Sequence, residues 1–162
     1  MNTTIKVLVS LLLAVSLSSC GFYLRGSAQV AERWNPIYVQ SGKLQAEQLR
    51  LLNRALLKAS ARLTSDRDAA NRLYVVIHPL QSSLLASSSP TDVELRQLSM
   101  RLEYRLESST GELLLESQQL ERSRELELER SNVLAASELI DTVAEDLQDE
   151  LIRGLVMSLG QR

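Results

Sequence analysis

Ten residues near the middle of this 162-residue chain alternate without a break. Leu98, Met100, Leu102, Tyr104 and Leu106 are interleaved with Ser99, Arg101, Glu103, Arg105 and Glu107. Successive side chains of a strand point to opposite faces, so this pattern is that of an antiparallel strand with one face buried and one wet. Such a strand cannot stand alone: its backbone needs a neighbour and its apolar face needs a cover. Ser108–Glu112 has turn chemistry, and Leu113-Leu114-Leu115 opens a further strand running toward Arg124, which makes a long hairpin. Glu121–Arg130 is the densest charge run, and its composition alone permits a helix. The long strand before the turn requires a long partner, so the run is expected to continue as strand and then pass into a loop. Its outward charges would blunt edge-to-edge aggregation.

Two stretches supply the cover. From Lys43 to Leu63, Leu49, Leu52, Leu56, Ala59 and Leu63 recur at helical spacing behind Ser41, a candidate N-cap. Arg50, Arg54, Lys58 and Arg62 line the opposite face, as a solvated stripe. Near the C-terminus Val133, Ala136, Ile140, Val143, Leu147, Leu151 and Leu155 form a second stripe, capped by Ser131 or Asn132 and ending near Gly160. Glu138, Asp141, Glu145, Asp146, Asp149 and Glu150 give this helix an acidic outer face. Ser27–Pro36 reads as a linker carrying the only Trp, followed by a strand at 36–40. Thr64–Asn71 reads as loop, Leu73–Ile77 as strand, His78-Pro79 as the strand end, and Ser82–Thr91 as a flexible, Ser-rich loop. The order strand, helix, three strands, helix predicts an α+β domain: two helices packed on one face of a four-stranded, mostly antiparallel sheet.

Charge and rare residues exclude several functions. Eighteen Lys and Arg against twenty Asp and Glu leave a formal charge of -2, which gives no basic footprint for nucleic acid. Aromatics at 4% are too few for base stacking. One Cys and one His rule out an intrachain disulfide and the usual multi-cysteine or His-rich metal sites. The serines lie in no G-x-S-x-G setting, and a triad would have to use His78 beside Pro79, so His78 is expected to be structural and the chain non-enzymatic, without metal or cofactor.

The N-terminus is informative. Lys6 precedes Val7–Leu17, an eleven-residue apolar run that would span about 16 Å as a helix, half of a bilayer core of about 30 Å. It fits a signal peptide better than a membrane span. Leu17-Ser18-Ser19-Cys20 then resembles the lipobox of bacterial lipoproteins, where the signal is cut before a Cys that becomes acylated. The only Cys of the chain stands where that chemistry needs its thiol. Cleavage there would leave 143 residues with 17 basic and 20 acidic side chains. Several acyl chains on one residue anchor stably, because each buried methylene contributes about 0.8 kcal/mol. Gly21, in the place where Asp marks inner-membrane retention, implies by resemblance the outer membrane.

The mature chain opens Cys20-Gly21-Phe22-Tyr23-Leu24-Arg25-Gly26. That opening, set on a lipobox, resembles the LptE family of lipopolysaccharide-assembly lipoproteins, with weaker likeness at Glu94–Leu115 and Asn132–Ala135. The resemblance implies residues 1–19 as lipoprotein signal peptide and 20–162 as one periplasm-facing domain lipid-anchored through Cys20 to the outer membrane. It also implies a heterodimer with the LptD barrel, which such proteins plug and help to assemble, and binding of lipopolysaccharide. Arg96, Arg101, Arg105, Arg122, Arg124 and Arg130 are the candidate phosphate contacts, since Arg makes paired charge-assisted bonds to phosphate. The family's basic residues before the long strand and near the start of the last helix are replaced here by Ser87-Ser88-Ser89-Pro90 and Leu134-Ala135-Ala136. A different envelope lipoprotein, such as an auxiliary lipid-binding subunit of an ABC transporter, would share the anchor and the small α+β domain.

Overall fold

A computed structural model describes residues 29–88 and 93–161. The expected signal peptide at 1–19, Cys20, the Cys20–Gly26 motif and Ser89–Thr91 lie outside the described residues. Five strands and two α-helices follow in the order β1 (Ile37–Gln40), α1 (Ala46–Lys58), β2 (Asn71–Ile77), β3 (Gln81–Ser88), β4 (Val93–Glu107), β5 (Leu113–Glu129) and α2 (Val133–Gln161). A single 3-10 turn, Glu32–Trp34, precedes β1.

The alternating segment is the centre of the sheet. β4 pairs antiparallel with β5 along its whole length on one edge. On its other edge it pairs with β2 through Leu102–Glu107 and with β3 through Val93–Ser99. Thus β2 and β3 lie end to end, interrupted at His78-Pro79-Leu80, where the missing Pro N–H breaks the ladder. β1 adds to β2 in parallel, with α1 as the crossover. The α+β class and the mostly antiparallel sheet are as expected, but the strands number five, not four. Ser82–Thr91 was expected to be a loop, yet Gln81–Ser88 is a strand with a bulge between Leu84 and Ala86. Serine is a poor strand former, and β4's open edge, with its unpaired N–H and C=O groups, overrides that preference.

Every even residue from Leu98 to Leu106 in β4 is buried, as are Leu73, Val75 and Ile77 of β2. They join one core with Leu52 and Leu56 of α1 and Leu147, Leu151, Leu155 and Leu159 of α2. The polar handles of the core aromatics are satisfied. Tyr104 shares a 2.5 Å hydrogen bond with Ser158, whose hydroxyl also donates to the Leu155 carbonyl at 2.7 Å. The odd residues of β4 face away from the helices and leave that side of the sheet polar and open.

Other expectations shift with long-range packing. α1 starts behind Gln45, not Ser41, through a reciprocal cap in which Gln45 N–H donates to the Gln48 side chain at 3.0 Å. It ends at Lys58 rather than Leu63, and Ser60 turns the chain with φ 63°. β5 runs to Glu129 with no loop before it ends. The last helix is capped as expected by Asn132, whose side chain accepts from Ala135 N–H at 3.3 Å. The segment read as a linker is part of the core: Trp34 is buried, and its Nε1 donates to the Leu159 carbonyl at 3.0 Å.

α2 ends at Gln161, near Gly160 as expected, but the glycine has a second role. It permits contact: a Cβ there would collide with the Gln29 carbonyl. In an open helix, Gly→Ala would gain about 1 kcal/mol. Here Gly160→Ala must push backbone aside, and overpacking costs about 1–3 kcal/mol. The expected outcome is net destabilisation, read as a lower urea midpoint with unchanged slope. A raised midpoint would contradict the packing of Gln29 on α2.

Candidate functional site

The register decides where the six candidate arginines go. In an antiparallel ladder, directly opposed residues project from the same face. Leu126 opposes Arg96, Arg124 opposes buried Leu98, and Arg122 opposes buried Met100. Arg96, Arg122 and Arg124 therefore share the helix-bearing face, and Arg130 joins them just past the end of β5. Arg101 and Arg105 project from the open face. The sheet separates the two sets, so one ligand cannot meet all six.

On the helix-bearing face, Arg124 is held by α2. Its Nη1 lies 3.1 Å from Asp146 and its Nη2 2.7 Å from Glu150. Arg96 Nε and Arg130 Nε both reach the Glu94 carboxylate, at 2.9 and 3.3 Å, and Arg96 also donates to Ser82 at 3.3 Å. Arg122 differs. Its Nη1 donates to the Glu121 carbonyl at 2.8 Å, and no carboxylate pairs with it among the described residues. Its guanidinium lies beside Gly154 of α2, the position where that helix has no side chain to obstruct it.

On the open face, Glu103 is bracketed by His78 at 3.2 Å and Arg101 at 3.9 Å. Arg105 pairs with Glu107 at 3.0 Å and stacks over the Tyr74 ring at 4.4 Å. These side chains form a closed-up polar surface around a shallow depression lined by His78, Gln81, Ser99, Arg101 and Glu121. His78 sits where β2 ends, its N–H donating to the Arg101 carbonyl at 2.8 Å.

An apolar end escaped the sequence reading. Ser88 pairs with Val93 and Val93 with Glu129, so the β3–β4 connection and the start of α2 lie at the same end of the sheet. There Val133 and Leu134 are 74% and 72% exposed, and Leu84 and Leu85 are also exposed. Leu84 and Leu85 were hidden in what looked like a loop. Val133 was expected to head the buried stripe of α2, but that stripe begins only at Val143, because the first turns of the helix extend beyond the core.

The fold is similar to those of three solved bacterial lipoproteins. A minor lipoprotein from Acinetobacter baumannii is 14% identical with a TM-score of 0.66, over 78% of this chain and 91% of that one. An uncharacterized lipoprotein B from Nitrosomonas europaea is 17% identical with a TM-score of 0.66, over 86% and 90%. A rare lipoprotein B from Shewanella oneidensis is 14% identical with a TM-score of 0.62, over 76% and 91%. At these identities the likeness is one of fold. No protein-family model matches the sequence, and no curated protein sequence matches it either.

The contrast between Arg122 and Arg124 is measurable. Both are partly exposed, so each exposed ion pair contributes at most about 1 kcal/mol. Arg124→Ala breaks two pairs at once and leaves Asp146 and Glu150 facing each other one turn apart. It should lower stability by about 1 kcal/mol in dilute salt and by less in concentrated salt. Arg122→Ala should stay within about 0.5 kcal/mol of the parent. Equal urea midpoints for the two variants would refute the pairing.

Proposed function

We propose that this chain is an outer-membrane lipoprotein of lipopolysaccharide assembly. In this reading Cys20 carries the anchor, and the domain is the plug and assembly partner of an LptD-type barrel and a carrier surface for lipopolysaccharide. The observation that carries the reading is the conjunction of two independent features: a lipobox running directly into Cys20-Gly21-Phe22-Tyr23-Leu24-Arg25-Gly26, and a fold shared with three bacterial lipoproteins.

The geometry supports it physically. The described chain begins at the C-terminal end of α2, where Gln29 packs on Gly160. A helix of 29 residues is about 44 Å long, so the exposed Val133 and Leu134 lie far from that end. This distal end combines bare aliphatic side chains with Arg96 and Arg130. Acyl chains want the former, and phosphates want the latter. The open face offers mixed charges in the pairs Arg101–Glu103 and Arg105–Glu107, which suits the polar lumen of a barrel. The role is binding and assembly rather than catalysis.

Three outcomes are expected. Palmitate labelling of the expressed protein should vanish in Cys20→Ser. Detergent extraction should bring out a large barrel with the chain; a free monomer, or a periplasmic transporter partner, would overturn the barrel reading. Depletion should make the outer membrane permeable to large hydrophobic antibiotics, and an unchanged barrier would count against it. At the distal end, Val133→Asp with Leu134→Asp should change the unfolding free energy by no more than about 0.5 kcal/mol, because both sites are solvated. The same variant should reduce lipopolysaccharide retention severalfold. Undiminished retention would remove the distal end from the ligand path.

A further inference from the structure

The near-neutral total charge hides a division. Residues 29–70 carry seven Lys and Arg against four Asp and Glu, whereas residues 113–161 carry four against eleven. The first group builds β1 and α1 at one edge of the sheet, and the second builds β5 and α2 at the other. The domain is therefore basic on its β1–α1 edge and acidic on its β5–α2 edge.

α1 concentrates the basic charge. Arg50, Arg54, Leu57 and Lys58 stand at helical spacing on one exposed face, opposite buried Leu52 and Leu56. Arg50 pairs only with Glu47 of its own helix, and among the described residues Arg54 and Lys58 form no ion pair. Leu57, in the middle of this stripe, is 59% exposed. Among the described residues, no ion pair or hydrogen bond joins this face to another element. An aliphatic side chain set beside two unpaired cations on an amphipathic helix is the pattern of a surface that lies on anionic lipid.

The position of the helix matches that pattern. Val30 N–H donates to the carbonyl of Ala59, just past the end of α1, at 2.8 Å, and Ala31 N–H donates to Leu159 at 3.2 Å. The described chain thus begins beside the end of α1. Nine residue steps separate Gln29 from Cys20, at most about 32 Å of extended chain. A domain tethered there keeps the α1 face within reach of the headgroups, while the acidic edge is repelled by them.

We propose that, before the domain enters a barrel, the Arg50–Arg54–Leu57–Lys58 face of α1 is a second membrane contact, docking on anionic phospholipid headgroups beside the anchor and setting the orientation of the domain. The proposal rests on the lipoprotein reading for its tether, though not for the chemistry of the face.

The test uses the full chain matured in cells. If Cys20 is acylated, Leu57→Cys supplies a unique site for an environment-sensitive fluorophore. The protein is mixed with vesicles of phosphatidylcholine alone or with about a third phosphatidylglycerol, each containing a spin-labelled quencher lipid. Quenching is expected with the anionic vesicles and not with neutral ones. Arg54→Glu with Lys58→Glu should weaken the effect about tenfold, given a severalfold contribution from each basic residue. A label at Glu127→Cys on the acidic edge should remain unquenched. Equal quenching with both lipids, or none with either, overturns the proposal. So does self-association through α1 that the double charge reversal abolishes, which would assign the face to a second copy. Flotation of the unlabelled protein with neutral vesicles reads the anchor separately. Its failure would sink the lipoprotein reading, and the face is then read from Leu57→Cys in a Cys20→Ser background.

Discussion

The structure depends on the contact between one strand and one helix. β4 presents Leu98, Met100, Leu102, Tyr104 and Leu106 in a row, and α2 lays Leu147, Leu151, Leu155 and Leu159 across it. Burying a Leu side chain contributes about 1.5–3 kcal/mol, so these two rows dominate the favourable side of folding. Everything else is arranged around them. β5 and the β2–β3 row satisfy the two edges of β4, and α1 closes the core beside α2. Trp34 and Gln29 then seal the C-terminal end of α2, joining the start of the described chain to its finish.

That arrangement explains which parts of the fold the sequence discloses. β4 and the C-terminal helix were legible because their side-chain period records which face is buried. β3 was not, because its exposed edge gives serine no reason to be replaced by an apolar residue. Its strand geometry comes from β4's unpaired backbone, which leaves no mark in β3's own composition. Trp34 was misread for a similar reason: its partner, Leu159, is 125 residues away. Gly160 does lie next to the helix end, but its contact with the Gln29 backbone, again remote in sequence, was not legible.

The candidate site shows the same limit in sharper form. Arg122 and Arg124 are two residues apart, of one type, on one face of one strand. Arg124 meets Asp146 and Glu150, whereas Arg122 meets the bare backbone at Gly154. The difference arises where α2 crosses β5, which no local pattern encodes. Composition could nominate arginines, but it could not tell a cation already neutralised from one still available. The split of the six across both faces of the sheet follows from the register alone.

Net charge misleads in the same way. A total of -2 suggests a bland surface, but the sum cancels a basic edge against an acidic one. Because β1 and α1 come early in the chain and β5 and α2 late, this polarity in sequence becomes polarity in space once the sheet orders its strands from β1 through β2 and β4 to β5. The chain enters the domain at the end where α1 and α2 terminate, so the basic edge has a defined relation to any N-terminal tether. The exposed aliphatic residues at the start of α2 lie a full helix length away. One fold thus separates two surfaces of different chemistry, cationic near the entry of the chain and apolar at its far end. A single helix–sheet core holds them apart.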